Sequence, residues 1–174
     1  MKVLVLGSLF LLSSMRAVTA STVSLPPMKY TVFCMRYPDD CLPRNGTGAR
    51  RQNLEDLQAV NAAANALIEP DLHSDDQWDI YPSRGNCADY AVSKRHTLLN
   101  IGWPSHRLLL AEVALRDTGE HHLVLIVFAA SKAWILDNRF SSLLTLEQMN
   151  RHYKFVRAAI PDNPKIWQAS LPKG

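Results

Sequence analysis

Three observations in the sequence predict an α+β fold. Two helical segments come first, over residues 53–68 and from about Cys87 to Asn100. A run of apolar, strand-forming segments follows, with only a short helical signal among them. The later strands are joined by turns such as Asp117-Thr118-Gly119 and Ser131-Lys132, and tight turns favour antiparallel pairing.

Residues 21–30 are polar and contain proline, and they read as an extended lead-in. In the first helix, Leu57, Val60, Ala64, Leu67 and Ile68 recur at helical spacing. Asn53 is its N-cap, with acids in the first turn, and Pro70 forbids continuation. Asn61 and Asn65 lie one turn apart and form either a polar edge or a hydrogen-bonding pair. Residues 71–86 are acidic, aromatic and turn-rich. The second helix stops at Gly102, with Pro104 beyond. His106 to Leu115 is apolar. Leu123 to Phe128 is rich in strand formers, and Ala133-Trp134-Ile135-Leu136 is a short strand closed by Asp137-Asn138. Thr145 caps a short helix through Met149, and Tyr153 to Ile160 is the last strand. No internal repeat or second domain is visible.

The amino terminus has a different character. Met1 and Lys2 precede the apolar run Val3 to Leu12, and Ala17-Val18-Thr19-Ala20 offers small residues for cleavage. This predicts a secretory signal over 1–20, cleaved after Ala20, and one domain over 21–174. The run is too short to span a bilayer comfortably, so no stable membrane insertion is expected after cleavage. The full chain has 174 residues and a formal charge of +3. Losing Lys2 and Arg16 brings the mature chain to +1. Such a balance makes no electrostatic case for nucleic acid. A periplasmic or secreted location follows, and with it an oxidising environment.

There are three cysteines. Tyr37-Pro38-Asp39-Asp40 between Cys34 and Cys41 is turn chemistry, which predicts a Cys34–Cys41 disulfide. Cys87 is left over, at the predicted start of a helix. The dipole and free N–H groups there stabilise a thiolate. His121 and His122 open the first central strand, and Asp137 ends the next. Antiparallel pairing brings Asp137 close to His122, where a carboxylate holds an imidazole in one tautomer. A helix-borne Cys, a strand-borne His and a next-strand Asp make the order of a papain-like or transglutaminase-like site. The N–H of Cys87 is the first donor of an oxyanion hole. Gln77 or Trp78 is the candidate for the second, although Trp78 reads first as core packing.

Four segments carry a resemblance. They are Gly85-Asn86-Cys87-Ala88-Asp89-Tyr90, Gly102-Trp103-Pro104, His122-Leu123-Val124-Leu125 and Ile135-Leu136-Asp137-Asn138. In this order they resemble the bacterial transglutaminase-like cysteine proteinase family, and Phe33-Cys34 to Asp40-Cys41 is similar to the lead-in of exported members. The resemblance implies a papain-like/transglutaminase-like core, with the Cys-bearing helix packed on an antiparallel sheet bearing His and Asp. It implies Cys87 as nucleophile, His122 rather than His121 as general base and Asp137 as orienting acid. It also implies a protein or peptide substrate in the periplasm or at the cell surface. The family commonly has Asp before and Glu after the cysteine, acids implicated in calcium binding in some members. Here they are Asn86 and Ala88, and only Asp89 remains. Calcium prefers several charged oxygens, so no metal or other cofactor is expected.

Three functions compete at this level. One is a cysteine peptidase working through a thioester acyl-enzyme. Another is a transglutaminase-like acyltransferase that uses an amine acceptor. The third is an inactive relative that binds peptides.

Overall fold

The computed structural model describes residues 22–46, 52–71 and 77–171. The expected signal peptide and its cleavage point lie outside the described residues. The chain begins with strand β1 (Val23–Ser24), helix α1 (Met28–Arg36) and a 3-10 turn (Pro38–Cys41). Helix α2 (Leu54–Leu67), strands β2 (Glu69–Pro70) and β3 (Arg84–Gly85), helix α3 (Cys87–Asn100) and a second 3-10 turn (Ser105–Arg107) follow. Then come β4 (Leu108–Leu115), β5 (His121–Ala129), β6 (Lys132–Leu136), β7 (Leu144–Thr145), α4 (Leu146–His152), β8 (Tyr153–Ala159) and β9 (Trp167–Gln168).

The mixed helix and antiparallel-sheet class agrees with the sequence reading. A seven-stranded sheet runs in the order β1-β9-β8-β4-β5-β6-β7, with antiparallel pairing throughout. β2 and β3 form a separate parallel pair. Strand β5 is buried on both sides, so it reads as a continuous apolar run rather than an alternating one. Leu123, Leu125 and Val127 share one core with Ala88, Ala91 and Val92 of α3. Val124 and Ile126 belong to a second core on the other face, with Met149 of α4 and Tyr153 of β8.

Both long helices have the predicted bounds to within a residue. Asn53 accepts the Asp56 N–H at 2.8 Å and caps α2. Asn86 and Asp89 form a reciprocal capping box that starts α3 at Cys87. Thr145 and Gln148 do the same for α4, which continues to His152. The β5–β6 hairpin turns one residue earlier than expected. Ala130 and Ser131 carry the positive φ values and Lys132 already belongs to β6.

The extended lead-in is corrected. Residues 23–24 are indeed a strand, but Met28 begins a helix that runs through Cys34. No side chain caps α1 at Pro27, so little local signal marks its start. Burial of Tyr30 and Phe33 against Trp78 and Trp167 holds it instead. Such tertiary packing commonly supplies most of a short helix's stability. The Cys34–Cys41 disulfide is present and ties α1 to the turn that follows. Among the described residues, no helix is long and apolar enough to cross a membrane.

Candidate active site

Strand register brings three side chains together. His122 lies opposite Val113 of β4, and Tyr153 lies opposite Leu115 of the same strand. Residues two apart in a strand share a face, so His122 and Tyr153 do. Leu125 pairs with Leu136, which puts the next residue, Asp137, level with Val124 and diagonal to His122. The His122 and Tyr153 rings stack at 5.5 Å between centroids. His122 Nε2–H donates to Asp137 Oδ1 at 2.8 Å. The Tyr153 hydroxyl donates to Asp137 Oδ2 at 2.5 Å, and the Arg139 N–H to Oδ1 at 3.0 Å.

Helix α3 lies on the other face of the sheet, and its first residue emerges at the sheet's end. There the Cys87 thiol, half-buried and outside any disulfide, lines the same cleft as His122. Asp137 occupies Nε2, which leaves Nδ1 for the thiol. Burial alone would lower the pKa of His122. The hydrogen bonds and charges of Asp137 and Cys87 outweigh it and raise the pKa to about 9. Burial pushes the Asp137 carboxyl up, but the His122, Tyr153 and Arg139 hydrogen bonds prevail and bring it below its ordinary value. A buried imidazolium facing a buried carboxylate on one side and a thiol on the other is equipped for proton transfer to and from sulfur.

The site opens into a cleft of about 710 Å³. Trp78, Gly85, Asn86, Cys87, His122 and Arg139 are among the residues that line it. Trp78 is 6% exposed and packs on the Tyr30 and Phe33 rings, so it serves as both core residue and cleft wall. Gln77 does not line the cleft; its side-chain carbonyl accepts from Arg36 at 3.0 Å on the surface. His121 is exposed and donates to Glu112 at 2.5 Å, away from Asp137.

The segment before Cys87 is held by Asp89. Its Oδ1 accepts the Asp79 N–H at 2.7 Å and its Oδ2 the Asn86 N–H at 2.8 Å. Gly85 is required by this close approach. A Cβ there would lie 2.6 Å from Asp89 Oδ2 and 2.8 Å from its Cβ.

Sequence reasoning missed Tyr153 as a member of this site. Its only sequence signal was its place at the start of a strand. Asn61 and Asn65 are resolved in favour of hydrogen bonding. Asn65 Nδ2 donates to the backbone carbonyls of Asp137 and Phe140, both at 3.2 Å. Asn61 Nδ2 donates to those of Phe140 and Ser141, at 3.1 and 3.4 Å. Helix α2 thereby braces the loop that carries the acid.

The fold is shared with solved structures. Calcium-bound Legionella pneumophila LapG superposes with a TM-score of 0.59 at 21% identity, over 84% of this chain and 81% of that one. The EGTA-treated form gives 0.57 at 23% identity, over 83% and 77%. The sequence matches no curated protein significantly. Calcium in that relative raises the question of fit here. Asp89 already receives a backbone N–H on each carboxylate oxygen, and Asn86 Oδ1 accepts the Ala88 N–H at 2.9 Å. Among the described residues, no cluster of three or more His, Cys, Asp or Glu side chains is placed to hold a metal. Calcium takes six to eight oxygens, as a rule including carboxylates, and Asp89 supplies the one carboxylate of the capping box at Cys87. A family model described as bacterial transglutaminase-like cysteine proteinase matches residues 20–173. The chain belongs to that family of cysteine proteinases.

Proposed function

We propose that this chain is an exported cysteine peptidase that cleaves an amide bond in a periplasmic or surface protein through Cys87, His122 and Asp137. The observation that carries the proposal is the 2.8 Å hydrogen bond between His122 Nε2 and Asp137 Oδ1 in the cleft that Cys87 and His122 both line. The proton shared by Cys87 and His122 rests on the imidazole Nδ1 when the sulfur attacks the scissile carbonyl. The N–H of Cys87, at the start of α3, is the first donor to the developing oxyanion, and the backbone leading into Trp78 is the candidate for the second. His122 returns the proton to the leaving amine, and a thioester remains on Cys87. Water, activated by the same imidazole, then releases the acid and restores the thiol. Asp137 holds the imidazole in the tautomer this cycle needs. The depleted acids around Cys87 make the cycle independent of calcium.

The test is the rate of Cys87 alkylation by iodoacetamide across pH, in the mature protein and in His122→Ala. Fast labelling well below the free-thiol range of about 8.5, lost in His122→Ala, is the expected result. Slow labelling that is unchanged by the substitution would leave the peptide-binding reading. Product masses with and without added primary amine separate hydrolysis from acyl transfer.

A further inference from the structure

Beside the thiol cleft lies a second, smaller hollow of about 200 Å³. It shares Leu115 and Arg139 with the cleft. Tyr153 lines it as well, and the Tyr153 ring stacks on His122 at 5.5 Å. The hollow thus reaches to within one side chain of the imidazole. Three arginines line it, against the single acid Asp117. They come from three separate elements: Arg116 directly follows β4, Arg139 lies in the loop after β6, and Arg151 belongs to α4. The fold, not a basic run in the sequence, gathers them.

Each arginine keeps donors to spare. The Arg116 N–H donates to the His152 carbonyl at 3.0 Å and its Nε–H to the Asn150 carbonyl at 2.7 Å. A guanidinium has five N–H donors, so the outer fork of Arg116 stays open. The Arg139 backbone N–H is spent on Asp137 Oδ1, and its guanidinium pairs with no carboxylate among the described residues. Arg151 reaches Glu147 at 2.6 Å, but these side chains are 67% and 81% exposed, where water and salt screen the pair. By contrast, Arg157 in the cleft is matched by Glu112 at 2.5 Å. The Phe140 and His152 rings, 4.9 Å apart, add an aromatic wall to the hollow. Like charges gathered in one concavity focus a field that attracts anions. Arginine forks suit carboxylates, which they hold by two bonds at a time.

We propose that this hollow docks an acidic stretch of the protein substrate, with its carboxylates on Arg139 and Arg151 and the adjoining chain entering the cleft past Arg139 toward Cys87. The proposal rests on the reading of Cys87, His122 and Asp137 as the reactive set. The hollow makes no bond to the scissile carbonyl. It concentrates acidic segments at the thiol, which selects one class of substrate without changing the chemical step.

The test uses a pair of affinity reagents. Each is a peptide amide with an amino-terminal chloroacetyl group and a spacer of four glycines, which reaches up to about 13 Å. One ends in four glutamates and the other in four serines. Mass spectrometry gives the rate at which each alkylates Cys87 in the mature protein. The glutamate reagent is expected to be faster by at least about fivefold at low ionic strength, an advantage that shrinks in about 0.5 M salt. Arg139→Gln combined with Arg151→Gln is expected to remove it; both side chains are exposed, so the fold tolerates the change. Lys132→Gln removes a positive charge at the far end of β5 from His122 and is expected to keep it. Equal rates for the two reagents, as for a hollow that takes only small anions, overturn the proposal. So does an advantage that survives in the double variant, or one that is lost in Lys132→Gln as well. The ratio of two reagents on one thiol cancels the reactivity of the thiol itself. Slow alkylation indifferent to His122→Ala would therefore remove the reactive-set reading and leave this ratio to be scored separately.

Discussion

Tyr153 donates to the Asp137 oxygen that His122 does not use: the hydroxyl meets Oδ2 at 2.5 Å while the imidazole meets Oδ1 at 2.8 Å. The same ring stacks on His122. Tyr153 therefore contacts both members of the ion pair, one through its edge and one through its face. Burial, then the charge of Asp137, pushes its hydroxyl pKa up. It remains a donor wherever the site is folded.

Tyr153→Phe separates those two contacts. The stacking is kept and the hydroxyl is removed. A hydrogen bond to a charged group is worth about 1.5–3 kcal/mol, and urea unfolding should show a loss of that order at pH 7. Cys87 alkylation in the same variant is expected to slow by about threefold to tenfold as Asp137 loosens. Unchanged stability and rate would mean that the hydroxyl is not a working partner of the acid.

The pH dependence of stability has a definite sign. His122 titrates near its ordinary 6.5 when unfolded and is raised to about 9 in the fold. Its contribution is therefore complete below 6.5 and disappears as pH rises through about 9, a loss of roughly 2–4 kcal/mol. Asp137 is shifted the other way, so its contribution is present above the ordinary carboxylate range and disappears as pH falls through its lowered value. Urea unfolding from pH 5 to 10 should show the alkaline decline in the wild type and a flatter curve in His122→Ala. Equal slopes in the two proteins would rule out a raised imidazole.

Gly85→Ala introduces a methyl group into the space that Asp89 occupies. Overpacking of this kind costs about 1–3 kcal/mol. The displaced carboxylate would release the Asp79 and Asn86 amides. A lowered melting temperature together with slower Cys87 alkylation is expected, because both amides hold the cleft wall beside the thiol. A wild-type melting temperature would show that Asp89 shifts without consequence.

Calcium should not matter. Melting temperature and alkylation rate are expected to be the same in calcium and in chelator. A ligand at a hundred times its Kd stabilises a fold by about 2.7 kcal/mol, so a bound ion would be plain in the melting curve. Such a rise with calcium, lost on chelation, would sink the prediction.

The long elements and the candidate site were legible for local reasons. Asn53, Asn86 and Thr145 cap their helices with their own side chains, and Gly102 and Pro104 follow α3. The β5–β6 hairpin needs only a tight turn, and that turn suffices to bring Asp137 back beside His122. The hairpin therefore already carried the proximity of His122 and Asp137, whereas the place of Cys87 depended on the packing of α3 against the sheet. The Cys34–Cys41 loop was short enough to be read the same way.

What the tertiary structure decided depends on segments far apart in the chain. Helix α1 has no capping side chain and stands on the burial of Tyr30 and Phe33 against Trp78 and Trp167, residues that only the fold brings near. Tyr153 reaches Asp137 because β8 pairs with β4, across a register shift between Glu112 and Val113 that no local pattern encodes. The choice for Asn61 and Asn65 between a polar edge and a hydrogen-bonding pair was decided only by the 137–141 loop lying across them. The burial of Lys94 and Arg95 is a property of α3 being covered on several sides at once. Short-range hydrogen-bonding and hydrophobic spacing write themselves into sequence, whereas a buried charge and its partner meet only when separate elements pack.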